Sequence, residues 1–153
     1  MPALRQMGVG CAKVSNAALA ALPAFPALRE LTPIGFTDDS FRHVGACQRL
    51  ERLTCMYCRT TGDAATAHLG ELSNLRYYYA GLTQITDRSL ELLGALESLE
   101  QVELYECLHV TDAGLPALAR LPRLRGVHLD SLPGVTLEGT RVFPAHVRVA
   151  YSA

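Results

Sequence analysis

The sequence predicts an α/β fold: a right-handed solenoid with short parallel strands on a concave side and short helices on the convex side. Three observations carry that prediction. An apolar-x-x-apolar-x-apolar segment recurs at a nearly constant step. A Ser/Thr residue followed by Asp or Asn opens the second half of most copies. A run of apolar residues at helical spacing comes after it.

The first half of each unit reads as a strand. Six segments share the pattern: Leu4-x-x-Met7-x-Val9, Leu28-x-x-Leu31-x-Pro33, Leu50-x-x-Leu53-x-Cys55, Leu75-x-x-Tyr78-x-Ala80, Leu99-x-x-Val102-x-Leu104 and Leu124-x-x-Val127-x-Leu129. Their first positions step by 24, 22, 25, 24 and 25 residues. A degenerate seventh copy, with Pro144, Val147 and Val149 in the three slots, closes the chain as a terminal strand over 146–151. The second half reads as a capped helix. Val14-Ser15-Asn16, Thr37-Asp38, Ile85-Thr86-Asp87 and Val110-Thr111-Asp112 supply side chains that accept first-turn N–H groups. Leu19, Leu22 and Phe25, then Phe41, Val44 and Cys47, then Leu90, Leu93 and Leu96, then Leu115, Leu118 and Leu121 lay one apolar stripe on each helix. Leucine at the position of His68 would be the equivalent in the intervening unit. A unit of this kind cannot bury its apolar face alone, so the units must stack.

A period of 20–29 residues around this core is the leucine-rich-repeat signature. The chain resembles the cysteine-containing class of leucine-rich repeats. Val102-Glu103-Leu104-Tyr105-Glu106-Cys107-Leu108-His109-Val110-Thr111-Asp112-Ala113-Gly114-Leu115 matches that unit almost position for position, and Cys11 and Cys58 fall in or beside the same cysteine slot. The resemblance covers essentially the whole chain. It implies a horseshoe-shaped α/β leucine-rich-repeat solenoid, one domain over 1–153 with six repeats starting near 4, 28, 50, 75, 99 and 124. The same class forms the substrate-binding half of F-box ubiquitin-ligase receptors, which implies an alternative role as an SCF-type adaptor or substrate receptor. The repeats here start at Leu4, so an F-box module upstream is not expected.

Composition narrows the function classes. Hydrophobic residues make up 49% of the 153 residues and charged residues 19%, which suits a packed core and not a disordered chain. Fourteen Lys+Arg against 15 Asp+Glu give a net charge of −1, so a nucleic-acid partner is not expected. There is no 18-residue apolar run for a membrane span and no secretory leader at Met1–Gln6, which makes a cytoplasmic location the expectation. Five cysteines are an odd number and too sparse for a disulfide scaffold.

Side chains alternate across a strand, so residues between the apolar slots point into the concave opening. The slot before the second apolar position holds Gln6, Glu30, Arg52, Tyr77, Gln101, Gly126 and His146. The next outward slot holds Gly8, Thr32, Thr54, Tyr79, Glu103, His128 and Arg148, and the last holds Gly10, Ile34, Met56, Gly81, Tyr105, Asp130 and Ala150. Arg52, Met56, Tyr77, Tyr79, Glu103 and Tyr105 gather in the middle repeats, with Tyr57 just beyond. Tyr, Met and Arg are enriched at interface centres, although tyrosines also stack along strands without binding anything. The expected function is non-catalytic recognition of another protein. Arg52, Tyr77, Tyr79 and Tyr105 would be anchors beside Met56, and Glu103, His128 and Asp130 would set polar specificity. No cofactor is expected. A metal-binding or enzymatic role would have to use Cys55/Cys58, the one CxxC, or His128/Asp130. Structural zinc takes four ligands, and an open sheet offers no water-excluding pocket. Leu4, Met7, Val9, Leu19 and Leu22 in the first repeat lack a preceding neighbour, so self-association or an upstream domain is expected to cover them.

Overall fold

The computed structural model describes residues 3–10 and 14–153, the side chain of Asn16 apart. Seven five-residue strands form one parallel sheet in sequence order: β1 (Gln6–Gly10), β2 (Glu30–Ile34), β3 (Arg52–Met56), β4 (Tyr77–Gly81), β5 (Gln101–Tyr105), β6 (Gly126–Asp130) and β7 (Arg148–Ser152). Between them run short helices α1 (Asn16–Leu19), α2 (Phe41–Gly45), α3 (Asp63–Ala67), α4 (Asp87–Leu93) and α5 (Leu115–Ala119), with single 3-10 turns at Leu22–Ala24, Asp38–Ser40 and Gly139–Val142. This is the predicted α/β solenoid.

The leucine slots set the register. Met7, Leu31, Leu53, Tyr78, Val102, Val127 and Val149 stand in one row across all seven strands. From β2 to β6 that row is buried, Tyr78 included. The helical ladders meet it from the other side: Phe41, Val44, Leu90, Leu93, Leu115 and Leu118 are buried, while Phe25 is half-buried. Burying a side chain of this size contributes roughly 1.5–3 kcal/mol, so the core is one repeated row of such contributions. Pro33 carries no N–H, and the β2–β3 pairing drops out around it, between Leu31↔Leu53 and Ile34↔Met56.

Two expectations on position are corrected. In β7, Gly126 pairs with Arg148, His128 with Ala150 and Asp130 with Ser152, two residues on from the sequence-based slots. Val149 and Tyr151 are therefore the inward pair, Arg148 takes the slot assigned to His146, and His146 precedes the strand. The Tyr151 hydroxyl donates to the Val135 carbonyl at 3.0 Å, which lets a tyrosine serve as an inward residue. His68 is exposed just past the end of α3; Leu69 is the buried residue there.

The Thr-Asp pairs do more than cap helices. Thr86 Oγ1 does accept the Arg88 N–H at 3.1 Å, as a cap should, and Ser15 Oγ accepts the Ala18 N–H. Each aspartate, however, reaches across to the next repeat. Asp87 accepts the Thr111 N–H at 2.8 Å and the Thr111 hydroxyl at 2.6 Å. Asp112 does the same for Thr136, and Asp63 for Thr86. Asp38 accepts the Gly62 N–H at 2.7 Å. At the following repeat the aspartate position is taken by Leu137, which is 64% exposed. The residue three places after each threonine is small, Ser89, Gly114 or Gly139, because it sits over the preceding carboxylate. A Cβ on Gly114 would lie 2.6 Å from Asp87 Oδ1.

Candidate functional site

The concave face is built by the outward slots of β1–β7 and by the turn residue after each of β2–β6. That turn residue has positive φ in five repeats: Gly35, Tyr57, Leu82, Glu106 and Ser131. Only one of the five is glycine, although the left-handed region costs other residues about 1–2 kcal/mol. The reversal it produces sends the next residue inward, and Phe36, Cys58, Thr83, Cys107 and Leu132 are all buried. This is the cysteine slot. Cys58 Sγ donates to the Pro33 carbonyl at 3.6 Å and Cys107 Sγ to the Ala80 carbonyl at 3.5 Å, each one strand back. Cys11 lies outside the described residues.

The thiols are held in an apolar setting. Burial pushes Cys55 well above the ordinary thiol range and raises Cys107, and burial alone takes Cys47 up to about 11. Such thiols are poor nucleophiles and poor metal ligands, since both roles need the thiolate. Among the described residues no group of three or more His, Cys, Asp and Glu is arranged to hold a metal ion.

The predicted anchors do come together in the middle of the sheet. Register places Arg52 beside Tyr77, Tyr79 beside Glu103, Met56 beside Gly81, Gly81 beside Tyr105, Glu103 beside His128 and Tyr105 beside Asp130. Strands in a sheet run about 4.8 Å apart, so these are touching rows. The Arg52 guanidinium stacks on the Tyr77 ring at 3.8 Å. Burial first, and the Glu103 carboxylate second, push the Tyr77 hydroxyl up, partly offset by Arg52. The Glu103 carboxylate also accepts the Gln101 amide. Arg52 and His128 are exposed, while Met56, Tyr77, Tyr79, Glu103, Tyr105 and Asp130 are half-buried.

The Tyr79 ring lies over Gly81, with its hydroxyl 2.6 Å from where a Cβ would stand. The missing side chain makes room for the ring and opens a cleft of about 50 Å³ lined by Met56, Tyr57, Tyr79, Gly81, Leu82 and Tyr105. Tyr57, 54% exposed, and Ile34, 40% exposed, extend this apolar ground. The turn residues Leu82, which lines the cleft, and Glu106 lie outside the slots that the spacing defines. Gly35, the glycine of their column, was the only sign in the sequence that a left-handed turn follows each of β2–β6.

Asp130 sits against Ser131, whose hydroxyl donates at 2.9 Å. Hydrogen bonds from Ser131 and Ser152 hold its carboxyl below the usual range, and His128 contributes in the same direction. At the opposite end of the strands, Arg29, Glu51, Arg76 and Glu100 form a column of alternating charge. Arg76 pairs with Glu100 at 2.6 Å and Arg29 with Glu51 at 3.4 Å. The Arg76 hydrogen bond holds the Glu100 carboxyl low. Exposed pairs of this kind add little stability, but they frame the face with charges that are already matched.

Fold and face together define the class: the chain is an α/β leucine-rich-repeat solenoid. No family model matches it. Among curated proteins it is similar to the mitochondrial ATP synthase subunit s of Rattus norvegicus, 29% identical over 98 residues, covering 64% of this chain and 39% of that protein. Among solved structures it is similar to a chain of the yeast Rad7 and Elc1 complex, with a TM-score of 0.75 and 20% identity over 95% of this chain and 40% of that one. Two Listeria monocytogenes str. 4b F2365 proteins also match. Internalin C2 has a TM-score of 0.54 and 18% identity over 88% of this chain and 54% of that one, and internalin F has 0.57 and 14% over 98% and 48%. The chain spans less than two thirds of each of these proteins. At these identities the solved structures establish the shared fold.

Proposed function

We propose that this chain is a non-catalytic protein-interaction module that holds a partner against the middle of its concave face. One observation carries the reading: Arg52, Met56, Tyr77, Tyr79 and Tyr105 form a continuous aromatic patch with polar neighbours. Large rings with a polar tip are the residues that dominate interface energies. A solenoid of this shape also occurs within the two-protein Rad7 and Elc1 complex. The buried thiols of Cys58 and Cys107 support placing the chain in the cysteine-containing class of repeats. The near-neutral charge supports a protein partner over nucleic acid, and no described helix is long and apolar enough to cross a membrane.

The test replaces Tyr79 and Tyr105 together by alanine and compares capture of partner from the native cell. Neither residue sits in the leucine rows, so the melting curve is expected to hold. Loss of two anchors is expected to weaken binding by about thirtyfold or more. A partner retained at full strength by the double variant would refute the site. The adaptor reading is favoured by the Rad7 and Elc1 likeness and predicts a ubiquitin-ligase subunit among the captured proteins. Fractionation tests the cytoplasmic assignment against the mitochondrial name of the curated relative.

A further inference from the structure

Tyrosines on the concave face meet charge in two different ways. Tyr77 is already served within the chain: Arg52 stacks 3.8 Å over its ring, and Glu103 stands at its hydroxyl. One and two slots further along the strands, Tyr79 and Tyr105 repeat the aromatic half of that arrangement without the cation. Tyr79 lies beside Glu103 and Tyr105 beside Asp130. The Glu106 carboxylate pushes the Tyr105 hydroxyl up, and burial first, with Glu103 and Asp130 adding to it, pushes the Tyr79 hydroxyl up. Among the described residues the one cation stacked on a ring is Arg52.

An apolar partner laid on this patch would strip water from carboxylates without replacing it, a costly step. An acidic partner would be repelled. A guanidinium both stacks on tyrosine and pairs in a fork with carboxylate. The narrow cleft beside Met56 has room for a slender alkyl stem and little more.

We propose that the concave face recognises an extended protein segment through an arginine, its guanidinium laid on Tyr79 and Tyr105 between Glu103 and Asp130. This rests on the concave-face reading above and narrows it to a cationic protein ligand. The partner supplies for Tyr79 and Tyr105 what Arg52 supplies for Tyr77.

The test uses the full chain and two short blocked Gly/Ala peptides, one with a single arginine and one with citrulline in its place. Citrulline keeps the shape and removes the charge. Tyrosine ring resonances are followed by NMR during titration. The arginine peptide is expected to shift Tyr79 and Tyr105 saturably, with an affinity that falls as salt rises. The citrulline twin should bind about tenfold more weakly. The E103Q/D130N pair should weaken the arginine peptide by a similar factor while leaving the melting curve in place. Equal binding of both peptides at Tyr79 and Tyr105 overturns the arginine inference and leaves the concave face as a docking surface. Arginine binding that is indifferent to E103Q/D130N overturns its placement. If neither peptide shifts these tyrosines, the inference also fails. The broader reading is then judged separately by the Y79A/Y105A partner comparison, which involves no arginine probe.

Discussion

Replacing Asp63 by alanine should cost the solenoid a large share of its stability. The carboxylate accepts three hydrogen bonds from the next repeat. They come from the Thr86 N–H at 2.9 Å, the Thr86 hydroxyl at 2.7 Å and the Ser89 hydroxyl at 2.6 Å. A hydrogen bond to a charged group is worth about 1.5–3 kcal/mol net. The three are not additive, because Ser89 can fall back on Thr66, whose hydroxyl lies 2.8 Å away. The expected loss is about 3 kcal/mol, against the mean of about 1 for point substitutions. For a chain of this size that lowers the melting temperature by roughly 6–12 °C. Denaturant titration followed by circular dichroism measures it. A loss below about 1 kcal/mol would refute the assignment of the ladder as a principal tie between repeats. Acid supplies the second arm. Partial burial raises the Asp63 carboxyl, but the bonds from Ser89 and Thr86 outweigh it, and the net shift is downward. A folded-state value below the unfolded one means the stabilisation is complete above the ordinary carboxylate range and vanishes as pH falls through the depressed value. The gap between native and D63A proteins should therefore close in acid. A gap that persists there would mean that the substitution acts through packing and not through the charge.

Two further outcomes follow from the packing. A Cβ on Gly94 would lie 2.7 Å from the Ala117 carbonyl oxygen, where α4 ends against α5. G94A should cost about 2 kcal/mol by urea titration, whereas G70A, whose Cβ would meet only the Ala67 carbonyl at 3.8 Å, should cost nothing; equal effects would contradict the close approach. In the native protein iodoacetamide should leave Cys55, Cys58 and Cys107 unmodified at about pH 8, since all three are buried from the reagent and burial also raises the Cys55 and Cys107 thiols. Full labelling should follow unfolding, and peptide mass spectrometry distinguishes these sites from Cys11 and Cys47.

What the chain discloses before folding depends on whether a signal is periodic within one repeat or arises between repeats. The leucine rows and the concave columns from β1 to β6 are periodic, and their register follows from the spacing of Leu28, Leu50, Leu75, Leu99 and Leu124. β7 slipped by two residues because Val147-Arg148-Val149 has the right alternation, and the inward role of Tyr151 depends on a hydrogen bond to Val135 that the sequence does not display. Thr86-Asp87 and Thr111-Asp112 were legible as caps, which is a local property. Their larger role joins residues about 24 positions apart and emerges only once the repeats are stacked. The alternation of Arg29, Glu51, Arg76 and Glu100 is visible in the sequence only after the register is known. The concave patch was legible in membership but not in mechanism. Nothing in the spelling of Tyr77 and Tyr79 says that one ring carries a guanidinium and the other lies over a glycine.

The aspartate ladder has a direction. The repeats of Thr86-Asp87 and Thr111-Asp112 each present a carboxylate on one side and a threonine amide and hydroxyl on the other, so each is a plug and a socket in one unit. Duplicating the stretch from Asp63 to Thr86, or from Asp87 to Thr111, in frame would leave every connection mated and lengthen the stack without redesign. The repeat that begins at Thr136 has the socket but, with Leu137, no plug. A copy of that last unit inserted in the middle would break the chain of connections, so the solenoid can grow from within but not by repeating its final turn.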